Sequence, residues 1–317
     1  MAVSGVIRLD FEPWLELGGL TVRLQAVGVA AAMLVAIVLT ARELRRRSLP
    51  GLRPLRADDL LYVALGCIPG AVIVGRLLHG LAFADVYQAD PAALLDPARG
   101  SLSLLGAVLG GALSGAYIAR LLDGSAGRWA DMAAAPMLVG LGLGKLAQLL
   151  GGGGQGLPSD APWAVAFSGA GPWLSPSPDV PAYPSQVLEA LWAMAGLPIA
   201  WLLWRARVVA RLPGRLRQTG RWAEVREERL EEVARGDLRF GYRFLAALGW
   251  WLLGRVLVGT TWRDDRLVGP FGAEQSMALA ALAALVLGII VHAIIGPGRA
   301  SREERMHLRH RRWRVRQ

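Results

Sequence analysis

A cation, two amides and a carboxylate lie near the ends of apolar segments, on either side of a Gly- and Pro-rich loop. Lys145 and Gln148 belong to GLGLGKLAQLLGGGGQG, and Gln186 and Glu189 belong to YPSQVLEALW. Residues three apart share one face of a helix, so the members of each pair point the same way. Lys145 is also the only lysine in a chain with 35 Lys+Arg residues. Such a set could bind an anion, with the carboxylate and the amides ordering the cation.

Other polar side chains also lie inside apolar segments. Arg76 and His79, three residues apart, share one face of VGRLLH. Arg255 lies in GRVLVG, and Ser185 directly precedes Gln186. An ionisable group within a lipid-spanning helix is costly and tends to face the protein interior or a wet cavity. Because Arg and Lys bind phosphate through charge-assisted hydrogen bonds, these residues favour a ligand that contains phosphate.

The elements that must position these residues are long apolar blocks. The 317-residue chain is 54% apolar and contains 39 Gly. Blocks of roughly 17 to 25 apolar residues are long enough to cross a bilayer as helices. We expect an all-α integral membrane protein, a single polytopic membrane domain over 1–317. Its seven transmembrane helices are predicted near residues 24–41, 60–83, 102–122, 132–150, 185–204, 240–258 and 275–296.

Basic residues alternate between successive loops. Segments 42–59, 120–131, 205–239 and 297–317 hold 26 of them, whereas segments 1–23, 84–101, 151–184 and 259–274 hold 5. Cytoplasmic loops are the ones enriched in Lys and Arg, so the N-terminus is predicted outside and the C-terminus in the cytoplasm. The polar groups above then share the outer half of the bilayer. Their shared location favours a single cavity that binds a lipid headgroup. The alternative is that each side chain separately snorkels to the interface or joins two helices.

Four connecting segments have recognisable compositions. Segment 84–101 carries two Asp-Pro turns and is predicted to be a short outer arm, and 151–184 is predicted to be a small outer head loop. In 205–239, Glu and Arg recur at spacings of three and four, which predicts a charged cytoplasmic surface helix. The basic tail 297–317 is expected to contact anionic lipid headgroups.

Composition also argues against several classes of partner. The net charge of +10 could suggest nucleic acid, but the alternation between loops explains the charge, so no nucleic-acid partner is expected. Cys67 is the single cysteine and lies within an apolar block, which leaves no disulfide framework and no Cys-based metal site. The four His residues lack the spacing of metal ligands, and no metal or cofactor is expected.

Several segments resemble the bacterial prolipoprotein diacylglyceryl transferases, integral membrane enzymes with seven spans and the same orientation. The segment 130–167 aligns with the signature region of that family, and YPSQVLEALW is close to its PSQLYEA motif. The resemblance extends to TVRLQAVGVAAAM with AREL, VGRLLH, DPARGSLSLLGAVLGG, GRVLVGTTWRDD and AEQSMAL.

The resemblance implies a reaction in a bacterial plasma membrane. The diacylglyceryl group of phosphatidylglycerol passes to the lipobox cysteine thiol of a preprolipoprotein, and glycerol phosphate leaves. The partners would be phosphatidylglycerol, preprolipoprotein signal peptides and membrane lipids. Lys145 and Arg255 would be the catalytic cations that bind the phosphate. The substrate-binding residues would be Arg76, His79, Gln148, Gly156, Ser185, Gln186 and Glu189. A thiol with a pKa near ~8.5 must lose its proton to react, and His79 is the candidate base.

The chain departs from the family pattern at polar positions. Lys145 stands where the family has Arg, Gln148 where it has Asn, and Gln25 where it has Tyr. Family Asn, Glu, His and Glu residues correspond to Gly151, Gly153, Leu105 and Gly259. The residues kept are Arg76, Asp131, Gly156, Pro158, Asp160, Pro184, Ser185, Gln186, Glu189 and Arg255.

These departures motivate alternatives to the family reaction. One is a catalytically silent paralogue that binds phospholipid or lipoprotein precursors without transferring anything. Another is a transferase that uses a different lipid or a different acceptor. A transporter is disfavoured, because the sequence shows neither inverted repeats nor paired broken helices.

Overall fold

Long helices dominate the computed structural model, which describes residues 5–46, 57–94, 102–210, 241–264, 266–291 and 294. The helices are α1 (Leu24–Arg46), α2 (Ala57–Ala82), α3 (Ala84–Ala89), α4 (Leu104–Leu121), α5 (Ala126–Leu149), α6 (Ser185–Ala210), α7 (Tyr242–Val258) and α8 (Ala273–Val291). Six of them, α1, α2, α4, α5, α7 and α8, are long and apolar enough to cross a membrane. The predicted helical membrane protein is therefore confirmed with six candidate spans in the described part. That α6 is an additional span, giving seven in total, stays a prediction. The sides of the membrane on which the termini lie also stay predictions.

The helix ends differ from the predicted spans where local capping decides them. We predicted the fourth span from residue 132, but α5 begins at Ala126. Its N-cap is Ser125, whose hydroxyl accepts a hydrogen bond from the backbone N–H of Arg128 at 3.4 Å. The apolar part of α5 starts only after Arg128 and Asp131. A prediction based on hydropathy alone therefore places the start of this helix too late.

Short strands, which the sequence analysis did not predict, organise the connections. β1 (Ile7–Leu9) pairs in parallel with β4 (Val165–Phe167), and β2 (Trp14–Leu17) pairs with β3 (Leu20–Arg23) in a hairpin that leads into α1. A third pair, β5 (Arg266–Val268) with β6 (Phe271–Gly272), joins α7 to α8. The β1–β4 pairing ties residues close to the N-terminus to the predicted head loop. We call the end of the bundle that carries residues 150–184 the head end.

The head loop is ordered around one buried amide. Gln155 donates through Nε2 to the carbonyl oxygens of Val165, Pro178 and Val180 at 3.3, 3.4 and 3.1 Å, and it accepts a hydrogen bond from Ser175 Oγ at 2.6 Å. The amide thus joins three parts of the loop, although the Val165 and Pro178 carbonyl oxygens also accept backbone N–H groups from Ala182 and Phe167. These hydrogen bonds hold the loop together around Gln155, just before Gly156, which contacts the start of α6.

Two contacts between helices fix the positions of α6 and α7. The indole N–H groups of Trp192 and Trp250 each donate to the other residue's backbone carbonyl at 2.8 Å, and their rings stack with centroids 4.5 Å apart. At the start of α7, Asp131 Oδ1 accepts from the backbone N–H groups of Arg243 and Phe244 at 2.9 and 3.2 Å. Asp131 on α5 therefore caps α7, whose own N-cap, Gly241, has no side chain that could do so.

Parts of the predicted connections lie outside the described residues. The charged segment 205–239 is described only over 205–210, where it ends α6, and the basic tail 297–317 is outside entirely. The described part of the arm folds as α3 followed by a short 3-10 helix, Pro91–Leu94.

Candidate functional site

Glu189 is the centre of a buried charge cluster at the head end. Its Oε2 lies 2.9 Å from Lys145 Nζ, and its Oε1 lies 2.7 Å from Arg255 Nη1. The three side chains come from α6, α5 and α7, and their exposed fractions are 4%, 8% and 9%. One carboxylate therefore holds two cations that the sequence analysis assigned to a common phosphate site.

Arg255 has a second acidic partner, Glu274, at the start of α8. The distance from Arg255 Nη2 to Glu274 Oε2 is 3.0 Å, and the Glu274 side chain is 18% exposed. The cluster of Lys145, Glu189, Arg255 and Glu274, which we call the charge cluster, thus has two positive and two negative groups. Four helices contribute one member each, so the same contacts that build the site also join the helix ends.

Lys145 makes two further contacts. Its ammonium group donates to Gln148 Oε1 at 3.2 Å, as expected for residues three apart on one helix face. It also lies over the Trp262 ring, 4.3 Å from the centroid, and the Arg255 guanidinium carbon is 5.7 Å from the same ring. An aromatic face attracts both cations through its quadrupole, so Trp262 forms one wall of the site.

The glycine turn after α5 closes against the start of α6. Gln186 Nε2 donates to the Gly153 carbonyl oxygen at 2.6 Å. Gly154 has a φ of +68° and lies directly under the Trp262 ring, where a Cβ would collide with the indole. Both the positive φ and the close approach of the indole disfavour any side chain at position 154, which explains the glycine there.

Gly156 and Ser185 form the base of this turn. A Cβ on Gly156 would lie 2.5 Å from Ser185 Oγ, 2.6 Å from the Tyr183 carbonyl oxygen and 2.7 Å from the Thr261 carbonyl oxygen. Ser185 Oγ also lies 2.7 Å from Thr261 Oγ1, so this hydroxyl joins the start of α6 to the 3-10 turn Gly259–Thr261 that follows α7. The contacts of Gly156 and Ser185 thus lie within the protein, where they join the turn to the start of α6 and to the segment after α7.

His79, on the same helix as Arg76, makes its side-chain contacts with aromatic residues that follow α2. The Nδ1 atom of His79 is 2.9 Å from the Tyr87 hydroxyl on α3, and the His79 ring lies 4.6 Å from that of Phe83. The charged groups that act on His79 are Glu274 and Arg76. Glu274 therefore contacts Arg255 directly, whereas its effect on His79 is electrostatic.

Several polar atoms around the charge cluster are buried without a hydrogen-bond partner. In the described part of the chain they include two acceptors, Gln25 Oε1 and Gln186 Oε1, and two donors, Arg255 Nε and Trp262 Nε1. Buried polar atoms are normally paired, so unpaired ones grouped at a single site indicate a place where a polar ligand binds. Gln25 contributes from α1, where it adjoins Gly151.

One further acid, Asp264, lies in the loop between Thr261 and β5. Desolvation raises the pKa of its carboxyl group above the ordinary value, while Arg255 opposes that rise. Within the described ranges, no group of three or more His, Cys, Asp or Glu side chains is arranged to hold a metal ion.

The structure brings together Lys145, Gln148, Glu189 and Arg255 as the sequence predicted, and it adds Trp262 and Glu274. A signal for Glu274 was present, because an acidic residue opens an apolar helix on the same side as the other polar groups. Trp262 gave no such signal, since aromatic residues are common at the ends of spans.

The fold and the site define a helical membrane protein with a buried charge cluster where four helices meet at one end. The family model of prolipoprotein diacylglyceryl transferase matches residues 13–219, and the chain belongs to this family. The matched range contains Lys145 and Glu189, whereas Arg255 and Glu274 follow it.

Relatives from several bacteria support this assignment. A relative from Methylococcus capsulatus is 30% identical over 237 residues, which are 73% of this chain and 82% of the relative. One from Gluconacetobacter diazotrophicus is 28% identical over 298 residues, covering 92% and 93%. One from Frankia alni is 30% identical over 205 residues, or 63% of this chain, and the chain spans about half (52%) of that relative's length. All three are named phosphatidylglycerol–prolipoprotein diacylglyceryl transferase.

Proposed function

We propose that this protein transfers the diacylglyceryl group of phosphatidylglycerol to the lipobox cysteine thiol of preprolipoproteins. The observation that carries the proposal is the buried pair of cations, Lys145 and Arg255, joined by Glu189 at the end of the bundle. Two cations held at fixed positions in a water-poor site suit a phosphate-containing headgroup. Membership of the transferase family and the names of the relatives supply the reaction.

The reaction requires a thiolate and a stabilised leaving group. The cysteine sulfur attacks the glycerol carbon that is bonded to a phosphate oxygen, so a C–S bond forms as that C–O bond breaks. Glycerol phosphate leaves with the bonding electrons, and its phosphate gains one negative charge. Lys145 and Arg255 stabilise this developing charge. The thiol proton passes to a base, for which His79 beside Tyr87 is the candidate.

The donors needed for the phosphate remain available in the charge cluster. An ammonium group has three N–H bonds, and two of those of Lys145 point to Glu189 and Gln148. A guanidinium has five, and two of those of Arg255 point to Glu189 and Glu274, which leaves Nε among the unused donors. The acceptors Gln25 Oε1 and Gln186 Oε1 are suited to the hydroxyl groups of the glycerol headgroup.

We further propose a bacterial plasma-membrane protein with seven spans. These are the six candidate spans together with α6, which is the fifth in chain order. The N-terminus is outside and the C-terminus is cytoplasmic. The alternation of basic residues between loops supports this orientation. The head end then faces outward, and both the phospholipid and the signal peptide of the preprolipoprotein reach the site from within the membrane. The apolar outward surfaces of the candidate spans support lateral access, since such surfaces face lipid.

A second candidate function is binding without transfer. It is favoured by the balance of charges in the charge cluster, which lacks surplus positive charge for a phosphate, and by glycine at positions 153 and 259. In that case Lys145 and Arg255 would hold a lipid or a lipoprotein precursor while no C–O bond breaks.

Complementation tests the proposal. The chain would be expressed in bacteria depleted of their own transferase, alongside Lys145→Ala and Arg255→Ala variants. Transferase function predicts growth and lipidated lipoprotein with the wild type, and loss of both with either variant. Lack of rescue despite membrane insertion would instead support the binding function. Rescue by all three chains would show that neither cation is needed.

A further inference from the structure

Glu274 reaches the charge cluster from a helix that carries none of the residues predicted for the site. Its carboxylate contacts Arg255 Nη2 at 3.0 Å, while Glu189 contacts Arg255 Nη1 at 2.7 Å. The two acids thus approach different nitrogen atoms of one guanidinium from two helices. Because the guanidinium is planar, two such contacts fix both its position and the direction of its plane.

The start of α8 is itself held close to Arg255. Gln275 Nε2 donates to the Val256 carbonyl oxygen at 2.6 Å, and the Gln275 side chain occupies the space beside Gly259. A Cβ on Gly259 would lie 3.1 Å from the Gln275 side chain. The absence of a side chain at position 259 therefore leaves room for the Gln275 side chain, whose hydrogen bond to Val256 holds the start of α8 beside the end of α7.

Among the Arg255 donors that neither acid uses is the buried Nε–H group. Its Nε atom has no hydrogen-bond partner, although the side chain is only 9% exposed. With Glu189 alone, the guanidinium could turn about a single contact and move this donor. With Glu274 as the second contact, the direction of Nε–H is determined.

We propose that Glu274 is a positioning residue, which orients the guanidinium of Arg255 so that its unused N–H groups face a phosphate-containing lipid headgroup. This inference rests on the headgroup site of the proposed function. Glu274 also adds a negative charge next to that site, and taken alone this charge would weaken the binding of an anionic lipid. Orientation and charge therefore predict opposite results when Glu274 is replaced.

The test is the affinity of the purified full-length protein for a fluorescent phosphatidylglycerol in neutral maltoside micelles, with a phosphatidylcholine of the same chains as reference lipid. Orientation predicts that Glu274→Ala weakens phosphatidylglycerol binding by about tenfold, the usual scale for one charge-assisted hydrogen bond. Glu274→Gln keeps an acceptor at the same reach and loses the charge, so it should bind as tightly as the wild type or more tightly.

Three further variants separate orientation from other roles. Glu274→Asp keeps the charge but is shorter by one methylene, so it should bind as weakly as Glu274→Ala. Asp264→Asn removes a neighbouring negative charge that does not orient Arg255, so it should not weaken binding. In an Arg255→Lys background, Glu274→Ala should cause no further loss, because an ammonium group has no plane to be oriented.

Thermal unfolding and gel filtration establish that each variant is folded. The inference is overturned if Glu274→Ala binds as well as the wild type, or if Glu274→Gln loses as much affinity as Glu274→Ala. Should Glu274→Ala not fold, the comparison of Glu274→Gln with Glu274→Asp decides alone, and a wild-type affinity for the Asp variant refutes orientation. A wild type that binds phosphatidylglycerol with this pattern but transfers nothing refutes the proposed reaction and leaves the inference intact. A wild type that binds no phosphatidylglycerol overturns both.

Discussion

Replacement of Glu189 by alanine tests whether one carboxylate neutralises two buried cations. The side chain is 4% exposed and contacts Lys145 Nζ at 2.9 Å and Arg255 Nη1 at 2.7 Å. With an effective dielectric constant of about 20, Coulomb's law gives about 6 kcal/mol of attraction for each pair. Much of that attraction is offset by the desolvation of the charges.

The net effect follows from what the mutation leaves behind. Glu189→Ala leaves Lys145 and Arg255 buried close together, with Glu274 as the remaining carboxylate of the charge cluster. Removing one partner of a buried ion pair typically costs about 3–5 kcal/mol, because the remaining charge is uncompensated. For a chain of this size, roughly 2 °C of melting temperature corresponds to each kcal/mol, so we expect a decrease of about 6–10 °C.

The assay is thermal unfolding of the purified protein in maltoside micelles. Glu189→Gln retains the side-chain volume and one acceptor oxygen, and it should fall between the wild type and Glu189→Ala. Glu16→Ala removes an exposed carboxylate on β2 and should leave the melting temperature unchanged within about 1 °C, as surface substitutions usually do. If Glu189→Ala melts within 2 °C of the wild type, the two cations do not depend on this carboxylate and our reasoning is wrong.

The remaining predictions concern the cations, a glycine and a helix cap. Lys145→Arg should support lipoprotein transfer in the complementation strain, because arginine keeps the charge and adds donors. Lys145→Ala should not support it. Equal growth of the two variants would exclude a role for the charge. Gly156→Ala should lower the melting temperature by several degrees, because its Cβ would approach three oxygen atoms within 2.7 Å, while Gly144→Ala, with open space around it, should leave it equal or higher. Asp131→Ala should destabilise the protein by about 1–2 kcal/mol through loss of the α7 cap, and Asp131→Asn, which retains an acceptor, should be milder; equal effects would show that the cap is not what Asp131 contributes.

The helices of the fold could be predicted from the sequence because each apolar block is long. Blocks at 24–41 and 60–83, for example, match α1 and α2 closely. The short strands could not be predicted, because β1 and β4 consist of three residues each and pair across more than half of the described chain. Such pairing depends on where the helices bring the loops, and a local pattern does not contain that information.

The candidate site was predictable to the extent that it lies within helices. A spacing of three places Lys145 with Gln148, and hydropathy makes any ionisable residue inside a span conspicuous. The link from Arg255 to Glu274 was not predictable, because it depends on how the start of α8 packs beside the end of α7. Trp262 was missed for a related reason, since its position over Lys145 results from the turn after α7 and not from any periodicity.

The shared ion pairs of the charge cluster restrict how this site can evolve. Lys145, Glu189, Arg255 and Glu274 each sit on a different helix, so a change at one position alters the electrostatic balance of the other three. A lineage that loses a carboxylate at one position can remain stable by gaining one at another, provided that the new residue reaches the same cation. A comparison of aligned positions would count two substitutions, although the carboxylate has only moved from one position to another. Divergent members of a family are therefore better compared by the charges that meet in space than by the residues that align in sequence.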